Sequence, residues 1–284
     1  MKLIRFQSNF GPRAGVVVGE SIVDLVEANS DYTDISAIVS GGQDALDYVA
    51  DLVSKSRPHY ELSDVKLLAP ISRPGKFMAI GMNYEKHKEE AQNLGVAPQT
   101  KQFWFNKQTS CISGPFDEID PGVSEKLDYE VELGVVIGKP AKSVKKADAK
   151  DHIFGYFVLN DVSARDWQFH TQTWTMGKSF DSHGPMGPWI ITADEIDNPH
   201  DLDLRCYVNG ELRQSNNTSQ MVYNVFEQIE YLSTAFTLES GDLIATGTPE
   251  GVGIAMEPPV FLQPGDTVTC LIDGIGSIVN KVRG

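Results

Sequence analysis

Short apolar and β-branched runs, broken by Gly- and Pro-containing turns, dominate the chain, and helical spacing of apolar residues is the exception. Residues 3–6, 14–19 and 21–26 read as strands split by Gly-Pro and Gly-Glu turns, while 35–39 and 45–53 carry apolar residues at helical spacing. Pro70, Pro74 and Gly75 then fall close together and favour an extended crossing segment. A domain boundary is placed there, giving a small N-terminal α+β domain over 1–70 and a larger domain over 71–284. In the larger part the pattern predicts strands at 77–81, 103–106, 129–137, 153–160, 189–192, 203–208, 243–246 and 267–272, and helices at 84–94, 147–151 and 221–234. Strands outnumber helices without regular β-α alternation, so the expected class is α+β and strand-rich, not a doubly wound sheet.

Composition narrows the function classes. The chain has 284 residues, with 41 % apolar and 22 % charged, ordinary for a globular protein. A net charge of −15 argues against nucleic acid, whose phosphates need a basic surface. It also means that an anionic substrate needs a local cation or a bound metal. No window approaches about 18 consecutive apolar residues, so no membrane helix is expected. The N-terminus, Met1 to Gln7, lacks the apolar core of a signal peptide, and cytoplasm is the expected compartment. Cys111, Cys206 and Cys270 show no metal-ligand or redox spacing and read as structural thiols.

The most informative stretch is Asp128 to Gly138, a predicted strand. Side chains alternate on a strand, so Glu130 and Glu132 share one face, with Val131, Leu133 and Val135 on the other. Their Cα atoms lie roughly 6.6 Å apart at strand rise. Flexible glutamates close that gap onto one cation, with oxygens at about 2.0–2.6 Å. Without a cation, two carboxylates on a buried face repel, and one takes up a proton. A solvated strand face is the ordinary explanation of Glu-x-Glu. The next strand weakens it, because Gly155 to Asn160 is almost wholly apolar and runs into Asp161, a third oxygen ligand. Three carboxylates with no Cys or His nearby suit a hard cation, Mg²⁺ or Mn²⁺ with Ca²⁺ as a third option, and not zinc.

Several blocks now add up to a resemblance. Gly81-Met82-Asn83-Tyr84 with His87 and Glu90 resembles the G-x-N-Y-x-x-H-x-x-E lid motif of the fumarylacetoacetate hydrolase superfamily. Tyr129 to Gly138 resembles its metal strand, and Asp161 to Gln168 its D-x-[ST]-x-R-D-x-Q segment. Gly177 to Asp181 with Gly184 to Pro188, and the Thr246 to Gly253 turn, are similar to its remaining signatures. The blocks keep family order from about residue 74 to the C-terminus, and the nearest branch is that of the domain-containing proteins.

The resemblance implies a mixed β-roll, a homodimer and a small anionic 2-oxo acid as substrate. It implies a hydrolase that cleaves a C–C bond in a 2,4-dioxo acid of acylpyruvate type through a pyruvate enolate on the metal. Oxaloacetate decarboxylation or tautomerisation, or hydration or isomerisation of 2-oxo dicarboxylic acids, is the alternative. If Asn83 caps a helix, His87 and Glu90 share a face, and the carboxylate orients the imidazole to take a proton from water. Lys178 would stabilise developing negative charge. Arg165 and Gln168 could grip a carboxylate or carbonyl, although Arg165 could equally pair with Asp166 or Asp181. Thr248 lies in a glycine-flanked turn whose amides could face a ligand anion. His170, His183 and Trp174 fall in loops beside the site, where substrate selection or packing would explain them.

Overall fold

The computed structural model describes residues 1–284. Strands β1 (Lys2–Ser8), β2 (Gly11–Val18) and β3 (Ser21–Asp24) form an antiparallel meander. Helix α1 (Ile35–Lys55) starts at Asp34, whose carboxylate accepts the Ser36 N–H at 2.7 Å. It kinks at Gly42, where φ is 61°, which is why its apolar spacing reads as two stretches. β4 (Tyr60–Glu61) and β5 (Lys66–Leu68) return to pair with β3 and β1. β6 (Phe77–Gly81), α2 (Glu85–Asn93) and β7 (Phe103–Asn106) come next, then the short strands β8 (Ile112–Ser113) and β9 (Leu127–Asp128). β10 (Val131–Ile137) and β11 (Ile153–Asn160) follow, then β12 (Ser163–Ala164), α3 (Arg165–Gln168) and β13 (Gly184–Thr192). The chain ends with β14 (Asp203–Val208), β15 (Glu211–Asn217), α4 (Val225–Ala235), β16 (Leu243–Ala245), β17 (Thr267–Ile272) and β18 (Gly276–Lys281).

The large sheet runs β4-β3-β2-β1-β13-β11-β10-β16-β6-β7, mixed because β16 pairs with β6 in parallel. β1 joins β13 directly, Lys2 opposite Ile191 and Leu3 opposite Ile190, so the N-terminal strands extend the sheet that carries β10 and β11. A second, antiparallel sheet, β15-β14-β17-β18, packs Leu204, Cys206, Val268 and Cys270 against Val131 and Leu133 of β10. On the other face of the large sheet, Val136, Phe157 and Leu159 share a core with Ile35, Ile38 and Val49 of α1. Every residue of β10 and β11 is buried, and a strand covered on both faces reads as a continuous apolar run. A carboxylate on such a strand is largely removed from bulk water.

Several elements depart from the sequence pattern, among them β18, a six-residue strand that the pattern does not predict. Residues 147–151 lie in a 3₁₀ segment, Lys146–His152, not an α-helix. The helix expected from 221 starts at Val225, where Asn224 and Glu227 form a capping box. β15 escapes notice because Glu-Leu-Arg-Gln-Ser-Asn-Asn is an edge strand with a polar, largely solvated surface. Cys206 and Cys270 sit opposite each other on β14 and β17 as buried free thiols, Sγ to Sγ 3.9 Å.

Candidate active site

Strand register brings the three acids together. Val131 lies opposite Asn160 and Glu132 opposite Leu159. One further step sets Glu130 opposite Asp161, and the Asp161 N–H donates to the Glu130 carbonyl at 2.9 Å. The Asn160 side chain accepts the Glu130 N–H, also at 2.9 Å. One carboxylate oxygen each from Glu130, Glu132 and Asp161 then lies within 4.8 Å of the others, all three residues buried.

Three buried cations surround this cluster. Lys178 Nζ donates to Glu130 Oε2 at 2.6 Å and to Asp161 Oδ2 at 2.9 Å. Lys107 Nζ lies 2.6 Å from Asp161 Oδ1 and donates to the carbonyls of Lys178 and His183. Arg165 Nη2 lies 2.7 Å from Glu130 Oε1. Glu132 has no cationic partner, and its Oε2 accepts the Gly247 N–H at 2.8 Å. Gly247 can present that N–H because it holds φ at 98°, and a Cβ there would meet the Asn83 Cβ at 2.6 Å.

Proton affinities divide along the same line. Burial alone would raise Glu130, but Lys178 and Arg165 outweigh it and hold the carboxyl down at about 2. Burial pushes Glu132 well above the ordinary carboxylate range, and the charges of Asp161 and Glu130 push it the same way. A divalent cation among these oxygens would relieve that repulsion, and an all-carboxylate donor set suits a hard ion. The residues present thus fit a divalent metal.

A pH dependence follows. Metal binding must displace the Glu132 proton. Below the raised pKa of the metal-free site the proton competes with the metal, and above it the competition ends. Mg²⁺ affinity should therefore rise with pH and then level off, with proton release on binding. Calorimetric titration in buffers of different ionisation heat reads both quantities. A pH-independent affinity without proton release would show that Glu132 is already ionised.

The facing wall is α2. Asn83 is not its cap: Tyr84 holds that position without a side-chain bond. Asn83 is buried, with Nδ2 donating to the carbonyls of Tyr223 and Thr246 at 3.0 and 2.7 Å, and Oδ1 accepting the Tyr223 N–H at 2.9 Å. It ties the end of β6 to the turn after β16. His87 and Glu90 share a face all the same, Nδ1 to Oε2 3.0 Å. Glu90 Oε1 accepts the Gly251 N–H at 2.9 Å, so the ring is oriented through a carboxylate that is itself anchored. Nε2 stays free, and His87 lines the same cavity as Glu130, Glu132 and Lys178.

Arg165, Gln168 and Thr248 line this cavity too, with their polar groups largely engaged. The partners of Arg165 are Asp128 (Nε to Oδ2 2.8 Å) and Glu130, not Asp166 or Asp181. Its Nη1 donates to Gln168 Oε1 at 2.9 Å. Asp166 accepts from Ser124 and the Glu125 N–H instead. The Thr248 hydroxyl donates to the Val131 carbonyl at 2.9 Å and accepts from Gln214 at 2.8 Å, pinning the turn to β10. His183 is buried against Phe180, and burial pushes it down to about 4, so it is neutral. His170 packs at a tilt against Trp167, ring centroids 4.7 Å apart, while Trp174 reaches the cavity. Lys107 and Asp128 escape the sequence reading. Their signals are a lysine closing an aromatic strand and an acid inside a buried stretch.

Residues 76–283 match the family model described as fumarylacetoacetate (FAA) hydrolase C-terminal. The mitochondrial oxaloacetate tautomerase FAHD2B of Bos taurus is 43 % identical, over 99 % of this chain and 91 % of its own. The fumarylacetoacetate hydrolase of the psychrophilic Exiguobacterium antarcticum superposes with a TM-score of 0.83 at 35 % identity, covering 100 % of this chain and 99 % of that one. Maleylpyruvate hydrolase from Sphingobium sp. SYK-6, solved with manganese(II) and pyruvate, gives 0.82 at 31 % identity, covering 100 % and 99 %. The mitochondrial location that the bovine protein's name carries differs from the cytoplasmic placement expected above for this chain. No helix of this chain is long and apolar enough to cross a membrane. The chain belongs to the fumarylacetoacetate hydrolase family, in the branch of the domain-containing proteins.

Proposed function

We propose that the chain is a divalent-metal-dependent enzyme that interconverts the keto and enol forms of a small 2-oxo acid, with Mg²⁺ or Mn²⁺ as the ion. The observation that carries this reading is one cavity lined by the buried acids Glu130 and Glu132, the ammonium of Lys178 and the His87–Glu90 dyad. The named activity of the bovine relative supports oxaloacetate as a substrate, and it moves tautomerisation ahead of the C–C hydrolysis that the motifs put first.

Glu130, Glu132 and Asp161 would hold the cation, which when bound supplies a Lewis acid to chelate and polarise a 2-oxo acid. The chain's own residues then do the following. His87 is the proton carrier: Glu90 on Nδ1 fixes the tautomer with Nε2 open as acceptor. Nε2 takes a proton from the carbon beside the 2-oxo group as water gives one to the enolate oxygen, and the reverse transfers restore the keto form. Lys178 sets a fixed positive charge where negative charge builds on the 2-oxo oxygen. Arg165 and Thr248 keep Glu130 and β10 in place. α2 closes the cavity and limits water.

Hydrolysis of a 2,4-dioxo acid is the second reading, favoured by the maleylpyruvate hydrolase structure with its manganese and pyruvate. His87 would then take its proton from water. The test follows enol-oxaloacetate by ultraviolet absorbance. Its decay should accelerate with protein and metal and return to the spontaneous rate with chelator. Equal rates with and without protein at saturating metal would overturn the tautomerase reading.

A further inference from the structure

The cavity at the carboxylates is small, about 50 Å³, room for the reacting head of a 2-oxo acid and little more. Beyond it opens a groove of about 500 Å³. Met82, Leu94, Val96, Phe169 and Trp174 line both, so the two adjoin across these side chains. No charged side chain lines the outer groove. The two cations of the inner cavity, Lys178 and Arg165, are held by Glu130, Asp161 and Asp128.

The groove wall is a built aromatic surface. Trp174 sits at φ 58°, a region that a bulky residue rarely adopts. Its ring packs against Phe103, Phe105 and Phe169 at centroid distances of 4.5, 5.7 and 6.1 Å. Across from it, at the end of α2, Leu94 is 48 % exposed, and Phe169 is 54 % exposed. Apolar surface is thus left open in a groove that adjoins the cavity of the three acids.

We infer that this chain prefers 2-oxo acids bearing an uncharged, apolar substituent, aryl or branched alkyl, which lies in the groove between Leu94 and Trp174. The inference rests on the 2-oxo acid reading above and departs from it only at the tail of the substrate, where oxaloacetate carries a second carboxylate. The second carboxylate of oxaloacetate would enter a groove with no charged side chain in its lining and would lose hydration there. An aryl group would instead remove apolar surface from water on both sides.

Calorimetric binding in saturating Mg²⁺ tests this with oxalate, which chelates through two carboxylates and has no tail, and with N-phenyloxamate and N-(carboxymethyl)oxamate, which share one oxamate head and differ only in the tail. N-phenyloxamate should bind at least about 10-fold more tightly than the carboxymethyl compound, the scale on which apolar pockets discriminate. Trp174→Ala should remove most of that advantage, with oxalate as the internal reference. Leu94→Lys, at an exposed position that tolerates a lysine, should reverse the order. Equal affinities, or tighter binding of the carboxymethyl compound, in the unaltered chain would overturn the inference. Binding of oxalate in the same series keeps the 2-oxo acid reading standing in that case. If oxalate itself does not bind with metal, that reading fails and the preference falls with it.

Discussion

Glu132→Ala should abolish metal-dependent turnover, lowering kcat/KM by about 10³-fold or more, since a Lewis-acid metal supplies several kcal/mol to the reacting oxygens. The choice of residue matters. Glu130 and Asp161 each neutralise buried cations: deleting Asp161 leaves Lys107 without a carboxylate, and deleting Glu130 takes one of two carboxylates from both Lys178 and Arg165. Breaking a buried pair in that way costs about 3–5 kcal/mol and would confuse a ligand effect with a folding effect. Glu132 has no cationic partner, so its removal takes away an uncompensated buried carboxyl. The metal-free variant should therefore melt no lower than the parent, while the rise in Tm that Mg²⁺ gives the parent should vanish. Retained metal dependence in Glu132→Ala would show that the ion is held elsewhere.

His87→Ala should split two reactions of the same substrate. Moving a proton on and off carbon needs a positioned base, worth about 10²–10⁴ in rate, and tautomerisation should fall by that factor. Decarboxylation of oxaloacetate needs no such base, only a polarised 2-oxo acid and a stabilised enolate as CO₂ departs, so it should change much less. Hydrolysis of an acylpyruvate, which needs an activated water, should fall with tautomerisation. Lys178→Ala should depress all three by about 10²–10³, because each develops charge on the same oxygen. Both variants are assayed at saturating Mg²⁺ with metal affinity measured separately. Tautomerisation at the parent rate in His87→Ala would remove the dyad from the mechanism.

Much of this site is readable from local spacing. Alternation puts Glu130 and Glu132 on one face, and the apolar strand ending at Asp161 supplies the third acid, because antiparallel register is a local rule carried across one connection. The three-residue spacing of His87 and Glu90 likewise needs only one helical turn. The supporting contacts are not local. Lys178 meets Asp161 and Glu130 across 17 and 48 positions, and Arg165 meets Asp128 across 37. No spacing rule pairs such residues, and the choice of Asp128 over Asp166 for Arg165 is made by packing. Asn83 shows the same limit: its position suggests a helix cap, but bonds to backbone 140 and 163 residues away claim the side chain. In the fold, the Gly-Pro-Met-Gly-Pro start of β13 hides a strand, since proline and glycine ordinarily argue against one.

The pairing of β1 with β13 has a practical consequence for anyone designing a minimal catalytic fragment. Removing residues 1–70 would strip β1 from Ile190 and Ile191 and leave that stretch of β13 as a bare border of unpaired amides and carbonyls. It would also uncover Ile190, which packs with Leu3 in the intact chain. Such a border is a template for recruiting strands from other molecules, so the shortened protein should precipitate or exchange strands even with every catalytic side chain present. A soluble fragment would need β1 retained, or a proline or lysine set into the exposed end of β13.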